Sequence, residues 1–494
     1  MILLFTDVGD TIGYGKYAGT YKVATEVRAA GYPTQVIDHF RWMGIGRLKK
    51  VLDKFCNEDT IIIGLSLTLM AGYRDATPWG LSYQHMEEFA EHAKSINPNV
   101  KIVAGGPQVT TLFNHDFFDY GVLHKGDNAL IAIADHITKG TDLKYVQPMH
   151  TKIVSGNDYW YSQEDFATSK IVWEDNDIIL ENEALPIEIA RGCIFKCAYC
   201  YFDLIGKKIG DWTKTEDTLV EELLYNYEKY GVTTYMVADE LVNESIPKLE
   251  MLCRVNERLP FDFKYTSYAR IDLIYRYPEM IDLLPKSGAV GLAFGIETFD
   301  PTAGKAVGKG MAAEKVKYIL EECKKAWGTK VLISSNFIMG LPGETEESIR
   351  HTIDYLMDDN CPIDAFELNV LNVQASENER AGNAIGDNPE KFKMKVKKGE
   401  HKARIDMPQL DWEHEHLNIT RARELFREFT EIPKIKNGRK LASATYIGRI
   451  LSLGYDLDQV FDLIKNQGYE SSVLDLKLRS NKMKQKYYER LMEL

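Results

Sequence analysis

Cysteine is scarce and irregularly placed. The 494 residues hold seven, an odd number with no dense spacing, which excludes a disulfide framework as the basis of the fold and implies a reducing compartment. Long apolar runs are missing as well: the stretch Met1 to Phe5 meets Asp7 and Asp10 almost at once, far short of a secretory core or a membrane span. The expectation is a cytoplasmic protein with no membrane partner. There is no basic excess either. A net charge of −13 gives no electrostatic reason to bind a nucleic-acid backbone. The one basic run, Lys391 to Lys398, lacks a nucleic-acid motif and reads as a solvated surface segment. Internal repeats and low-complexity tracts are absent, and a hydrophobic content of 45% suits a globular chain of several domains.

Three of the seven cysteines stand together, in Arg191-Gly192-Cys193-Ile194-Phe195-Lys196-Cys197-Ala198-Tyr199-Cys200-Tyr201-Phe202. A C-x3-C-x2-C loop gathers three thiolates, one short of the four that close an iron–sulfur site. One iron is then left open for a ligand, as in catalytic rather than structural metal sites. Zinc would take four ligands in paired spacings, and no second pair follows. Cys56, Cys253, Cys323 and Cys361 are isolated in apolar or helical contexts that suit small buried hydrophobes.

The rest of the chain reads as α/β. To residue 140, short β-rich runs (Met1 to Phe5, Thr34 to Asp38, Thr60 to Leu65, Lys101 to Ala104) alternate with helical segments (Tyr21 to Ala30, Ser82 to Ser95). This predicts a Rossmann-like, doubly wound parallel sheet over residues 1–140. Ligands of such sheets sit beyond the carboxyl ends of the strands, here the loops Thr6 to Gly19, Ser66 to Ala71 and Gly105-Gly106-Pro107-Gln108. Residues 141–184 read as a linker with a hairpin. Six strand runs then follow: Pro186 to Ala190, Thr233 to Val237, Asp262 to Thr266, Val290 to Phe294, Lys330 to Ile338 and Ala365 to Val370. With helices between them they predict a partial (β/α)6 barrel over residues 185–375, with chemistry at its carboxyl-end face. Residues 376–494 read as a mostly helical region that closes the barrel mouth. Within it, His414-Glu415-His416 is taken as a solvated helix face, since residues two apart on a helix do not face each other.

The cysteine loop, set after the first strand of six such units, resembles the signature of the radical S-adenosylmethionine (SAM) enzymes. The resemblance implies a [4Fe-4S] cluster on Cys193, Cys197 and Cys200 whose open iron chelates the amino and carboxylate groups of S-adenosylmethionine. One electron from an external donor then cleaves the sulfonium to a 5′-deoxyadenosyl radical. Tyr199, just before the third cysteine, would lie beside the adenine. Several strand ends match the family residue by residue. In Ala238-Asp239-Glu240 the carboxylates would accept from the cofactor's ammonium group, or simply begin a helix. In Ser267-Tyr268-Ala269-Arg270-Ile271-Asp272, Arg270 would pair with the cofactor carboxylate or hold Asp272. Gly295-Ile296-Glu297-Thr298 is close to the G-I-E-S of relatives: Gly295 permits close backbone approach and Glu297 would accept from ribose hydroxyls or the ammonium group. Gly340-Leu341-Pro342-Gly343-Glu344-Thr345 matches the family's turn word for word and is a fold marker; Lys309-Gly310 also match, without a role.

Residues 1–140 resemble the cobalamin-binding domain that precedes many radical SAM enzymes, in the order of their elements, in Gly105-Gly106 and in His124-Lys125-Gly126-Asp127-Asn128. Members with a histidine below the cobalt carry D-x-H-x-x-G, whereas this loop reads Asp7-Val8-Gly9-Asp10-Thr11-Ile12-Gly13, and Asp38-His39 follows the wrong strand. Either cobalamin binds without a histidine ligand, or the domain is kept for substrate shape or docking. With cobalamin, the resemblance implies methylation of an unactivated carbon. Without it, a radical cyclisation or rearrangement is implied, and a non-catalytic cofactor-binding scaffold is the remaining alternative. A methylthiotransferase would need a second cluster, for which this domain offers only Cys56. Neither the substrate, small molecule or peptide, nor a catalytic side chain is implied.

Overall fold

The structure, a computed structural model, describes residues 1–9, 12–66, 83–106, 117–148, 152–160, 162–202, 204–376, 382–399, 410–432, 444–465 and 469–494. Parts of all three expected ligand loops, residues 10–11, 67–71 and 107–108, lie outside them.

Parallel strands are covered on both faces and so appear in sequence as short continuous apolar runs. The first sheet is built of such runs: β1 (Ile2–Phe5), β2 (Thr34–Ile37), β3 (Ile62–Ser66), β4 (Lys101–Gly105), β5 (Tyr120–Leu123), β6 (Gln147–Pro148) and β7 (Lys152–Ser155). Their order is β2-β1-β3-β4-β5-β7-β6. All pairings are parallel except β6 with β7. Because β1 has β2 on one side and β3 on the other, the winding reverses there, and a ligand crevice is expected at the carboxyl ends of those two strands.

The segment read as a linker is instead partly woven into this domain. Residues 147–155 supply β6 and β7, and Trp173 is fully buried against Tyr21, with ring centroids 4.2 Å apart. The hairpin expected there is the β6–β7 pair.

The barrel contains β8 (Leu185–Ile187), β9 (Thr234–Val237), β10 (Lys264–Ala269), β11 (Ala289–Glu297), β12 (Leu332–Met339) and β13 (Ala365–Val370). Each pairs in parallel with its sequence neighbour, leaving β8 and β13 as open edges. Its helices start and stop on local chemistry. Thr215 caps helix Glu216–Tyr230 by accepting from the Thr218 N–H, and left-handed Gly231 ends it.

The carboxyl-terminal region packs on both sheets. Helix Ala444–Leu451 packs on Met236 of β9, Thr266 of β10 and Gly291 of β11; a Cβ on Gly448 would fall 2.3 Å from the Met236 Cγ. The Arg449 carbonyl accepts from the Tyr14 N–H (3.2 Å), which ties the same helix to the loop after β1. The long helix Tyr469–Glu493 docks on the first domain: the Tyr487 hydroxyl accepts from the Asp38 N–H (2.9 Å), and the Ser480 hydroxyl donates to the Gly13 carbonyl (2.6 Å). A hairpin, β14 (Lys395–Lys398) with β15 (Leu410–Glu413), interrupts the helices, and the lysines of the basic run are exposed on it as expected. His414-Glu415-His416 follows β15 in a turn and not on a helix. The His414 ring lies parallel to that of Trp412 (centroids 5.8 Å apart), and burial pushes its pKa down to about 4.

The turn Gly340–Thr345 has a chemical basis of its own. Glu344 is buried and accepts from the Gly340 N–H (2.7 Å), the Leu341 N–H (3.3 Å) and the Thr298 hydroxyl (2.6 Å). Burial pushes its carboxyl up to about 8 from the usual 4.5. The folded state therefore binds this proton more tightly than the unfolded chain, and the resulting stabilisation, complete below about pH 4.5, is lost as pH rises through about 8. Glu344→Gln keeps an acceptor for the two N–H groups and gains a donor for Thr298. Denaturation midpoints measured between pH 5 and 9 are expected to fall for the parent and to stay flatter for the variant.

Candidate active site

The cluster loop leaves β8 and is pinned from below by Asp239, at the end of β9. One carboxylate oxygen accepts from the Ile189 and Ala190 N–H groups (2.8 and 2.9 Å), and the other takes the Lys248 ammonium (2.8 Å). Both oxygens are thus engaged inside the protein, so Asp239 pins the cluster loop. Its neighbour Glu240 accepts from the Gly192 N–H (2.8 Å), and burial, with Asp239 nearby, pushes its carboxyl up to about 7. Gly192 must be glycine: φ is +81° and a Cβ would lie 2.6 Å from the Leu204 carbonyl oxygen, where the loop doubles back.

Cys193, Cys197 and Cys200 all line this loop, partly buried and unbridged. Among the described residues no three cysteine, histidine or carboxylate side chains converge on a single-ion site. A [4Fe-4S] cluster would take each of the three thiolates on a different iron. Burial raises the Cys193 thiol and pushes Cys200 up to about 11, so ligation of iron displaces protons. Arg270 donates from Nη1 to the Cys197 Sγ (3.3 Å), stacks over the Phe195 ring at 3.7 Å, and grips Asp272 with Nε and Nη2 (2.9 and 2.7 Å). It thus holds Asp272 and also reaches the neighbouring cluster loop.

Tyr199 and Glu297 come together across the barrel, the hydroxyl donating to Oε1 at 2.8 Å. Glu297 lies beside a bulge in the β11–β12 pairing, with φ at +71°, a conformation that side chains rarely adopt. Gly295 makes room for it: a Cβ there would be 2.5 Å from the Glu297 Oε1. The glycine thus accommodates the carboxylate. Lys309, unassigned from the sequence, donates to the Gly295 carbonyl (2.6 Å). Burial raises the Glu297 carboxyl and Lys309 opposes the rise. Behind the loop, Asn383 donates from Nδ2 to the Tyr199 carbonyl (3.3 Å), a brace from the carboxyl-terminal region that no motif announces.

A cavity of about 340 Å³ lies where the first sheet meets this loop. Its floor is the carboxyl end of the sheet, with Leu4, Gly64, Gly105 and Val122, and its far wall is Gly192 and Glu240. Arg191 joins the two sides, pairing with Asp127 at 3.0 and 3.2 Å and with Glu188. That pair was not legible in sequence, because its partners are 64 residues apart. His39 is buried between Tyr14 and Tyr487, outside the cavity lining, and burial keeps it neutral.

Residues 187–356 match the model of the Radical SAM superfamily. Residues 187–356 are a radical SAM domain. This domain spans β8 to the helix after β12, with the cysteine loop near its start. Over 329 residues the chain is 24% identical to an uncharacterized methyltransferase of Pyrococcus horikoshii, covering 62% of this chain and 66% of that one. Over 189 residues it is 26% identical to a ribosomal protein methylthiotransferase of Acidovorax, covering 34% of this chain and 40% of the relative. In structure it is similar to the radical SAM methyltransferase TsrM of Kitasatospora setae, solved with cobalamin and a [4Fe-4S] cluster (TM-score 0.67, 14% identity, 96% of this chain and 99% of that one). It is also similar to OxsB, a cobalamin-dependent S-adenosylmethionine radical enzyme solved with aqua-cobalamin and S-adenosylmethionine (TM-score 0.60, 13% identity, 100% and 80%). The fold, first sheet included, is thus of the radical SAM methyltransferase type.

Proposed function

We propose that this chain is a cobalamin-dependent radical SAM methyltransferase acting on an unactivated carbon. The observation that carries the reading is the cavity at the carboxyl ends of β1, β3, β4 and β5, which shares a wall with the cysteine loop. Two cofactor sites with a common wall are what transfer between them requires. When bound, the cluster with S-adenosylmethionine supplies one-electron chemistry and cobalamin carries the methyl group. The residues do the rest. The three thiols hold the cluster, Arg270 sets a cation beside Cys197, and Glu297 and Tyr199 form a polar edge across the barrel mouth. Arg191 and Asp127 fix the distance between the two sites. The sequence carries no D-x-H-x-x-G histidine after β1, and the histidine among the described lining residues is His124.

The test is an anaerobic absorbance spectrum of cluster-loaded protein incubated with hydroxocobalamin and desalted. A stoichiometric corrinoid band is expected. Its absence with the cluster intact would remove methylation and leave cobalamin-independent radical chemistry. Gly105→Leu sharpens the result, since nothing lies within 4 Å of a Cβ at Gly105 and the new side chain enters the cavity without displacing the fold. Corrinoid affinity is expected to fall by about tenfold or more, a loss of at least about 1.4 kcal/mol, with the cluster spectrum and the denaturation midpoint unchanged.

A further inference from the structure

The proposed reaction gives no part to the basic run Lys391 to Lys398. That run is held more firmly than a solvated segment needs. Met394 is buried, and Phe392 and Val396 pack on the main core. Val396 stands opposite Trp412 in the β14–β15 pairing. Trp412 is buried in turn: its indole N–H donates to the Leu371 carbonyl (2.9 Å), and a Cβ on Gly340 would fall 2.1 Å from its Cη2. The Leu410 N–H donates to the Val373 carbonyl (3.0 Å). β15 is thus the strand joined to the barrel, at the carboxyl ends of β12 and β13, and β14 is the outer strand.

The outer edge of β14 is open. The strand pairs with β15 on one side, and among the described residues no backbone group joins its other side. Lys391, Lys393, Lys395, Lys397 and Lys398 are all exposed, against the single carboxylate of Glu390 in the stretch 389–398. Only Lys395 has a carboxylate partner among the described residues, Glu413 at 3.2 Å. The chain as a whole carries a net charge of −13. An edge strand offers a row of backbone donors and acceptors to any extended chain, and lysine on it repels a partner of like charge. A second copy of β14, equally basic, is turned away. An acidic chain is drawn in.

We infer that β14 is the docking edge for an acidic segment of a polypeptide substrate, which adds to the β14–β15 sheet as a third strand and so presents a neighbouring residue to the barrel mouth. The inference rests on the function proposed above and gives its substrate a class. Backbone hydrogen bonds to the edge supply affinity, and side chains alternate along an added strand. On β14, Lys395 and Lys397 share one face, so carboxylates at alternate positions of the guest fall beside them, a cross-strand pairing of opposite charge that stabilises a sheet. A nucleic acid would meet the same ammonium groups but has no peptide ladder to offer the edge, and the rest of this surface repels its phosphates.

The experiment uses the full-length, cluster-loaded protein and a short fluorescein-labelled peptide of alternating glutamate and valine, followed by fluorescence anisotropy at low salt. The competitors are a peptide of alternating lysine and valine, the acidic peptide N-methylated at alternate residues so that its edge-facing N–H groups are gone, and an oligouridylate of the same charge. The acidic peptide is expected to bind, and none of the competitors to displace it. Combining Lys393→Gln, Lys397→Gln and Lys398→Gln is expected to weaken binding by about tenfold, since each exposed charge pair contributes a few-fold. The cluster absorbance and the denaturation midpoint should stay as in the parent, because all three side chains are exposed. An acidic peptide that does not bind, a triple variant as tight as the parent, or a basic or N-methylated peptide that competes as well as the acidic one would overturn the docking edge and leave the cofactor reading intact. Oligouridylate that displaces the peptide would overturn a polypeptide as the occupant. Peptide bound by a protein that retains no corrinoid would overturn methylation and keep the edge.

Discussion

Replacing Cys197 with alanine is expected to abolish the cluster's visible absorbance and with it the cleavage of S-adenosylmethionine. Cys197 is the middle thiol of the loop and receives the Arg270 guanidinium at 3.3 Å, so its loss removes one of three ligands and leaves a buried cation without its sulfur. Partners one shell out from a metal typically cost about 10–100-fold in affinity or activity when removed, and a ligand itself costs more. The measurements are iron content and 5′-deoxyadenosine formed under reduction. Cys323→Ala is the control, because Cys323 is a buried apolar contact on the helix Ala313–Trp327. Cleavage retained at the parent rate in Cys197→Ala would refute the assignment of the cluster to this loop.

Asp239→Ala is expected to destabilise the fold by about 3–5 kcal/mol, the range for removing one partner of a buried ion pair. The substitution strands the Lys248 ammonium, itself buried, and leaves the Ile189 and Ala190 N–H groups without their acceptor. Adding Lys248→Met should restore part of the loss, since the uncompensated charge is gone while the two N–H groups stay unsatisfied. Denaturant midpoints of the single and double variants measure both. A single variant within about 1 kcal/mol of the parent, the usual range for a point substitution, would show that Asp239 does not pin the loop. The functional consequence should exceed the thermodynamic one, because the unpinned segment runs straight into Cys193.

The architecture was legible where strands are buried on both faces and the turns between them carry glycine, proline or capping residues. All six barrel strands announce themselves in this way, although β10 starts two residues after its expected Asp262 and runs on from Thr266 to Ala269, and β11 runs on from Phe294 to Glu297. Three strands of the first sheet, β5, β6 and β7, had no run assigned to them. Tyr120–Leu123 is four residues long with a glycine inside it, and Lys152–Ser155 sits in a polar stretch that composition assigns to a linker. In the site, the cysteine loop and the pairing of Tyr199 with Glu297 follow from strand-end positions, since residues at the carboxyl ends of neighbouring strands must face one mouth. The pairing of Asp239 with Lys248 was not legible because a carboxylate at a strand end looks the same whether its cation is a ligand or a lysine nine residues on. His414-Glu415-His416 was misread because nothing local shows that Trp412 stacks on the first histidine and turns the chain. Long-range pairs such as Arg191 with Asp127 leave no sequence signal at all.

The anchoring of the last helix on the first domain has a consequence for synthesis. Asp38 waits for Tyr487, and Gly13 for Ser480, contacts that span 449 and 467 residues. Chains emerge from the ribosome at about 5–20 residues per second, and domains tend to fold in that order. Here the opening sheet cannot complete its packing until the final turns of helix have left the exit tunnel, some tens of seconds after its own strands were made. During that interval one of its faces is exposed to whatever chaperone is at hand. The cysteine loop, too, leaves the ribosome before helix Tyr469–Glu493 can reach Asp38 and Gly13.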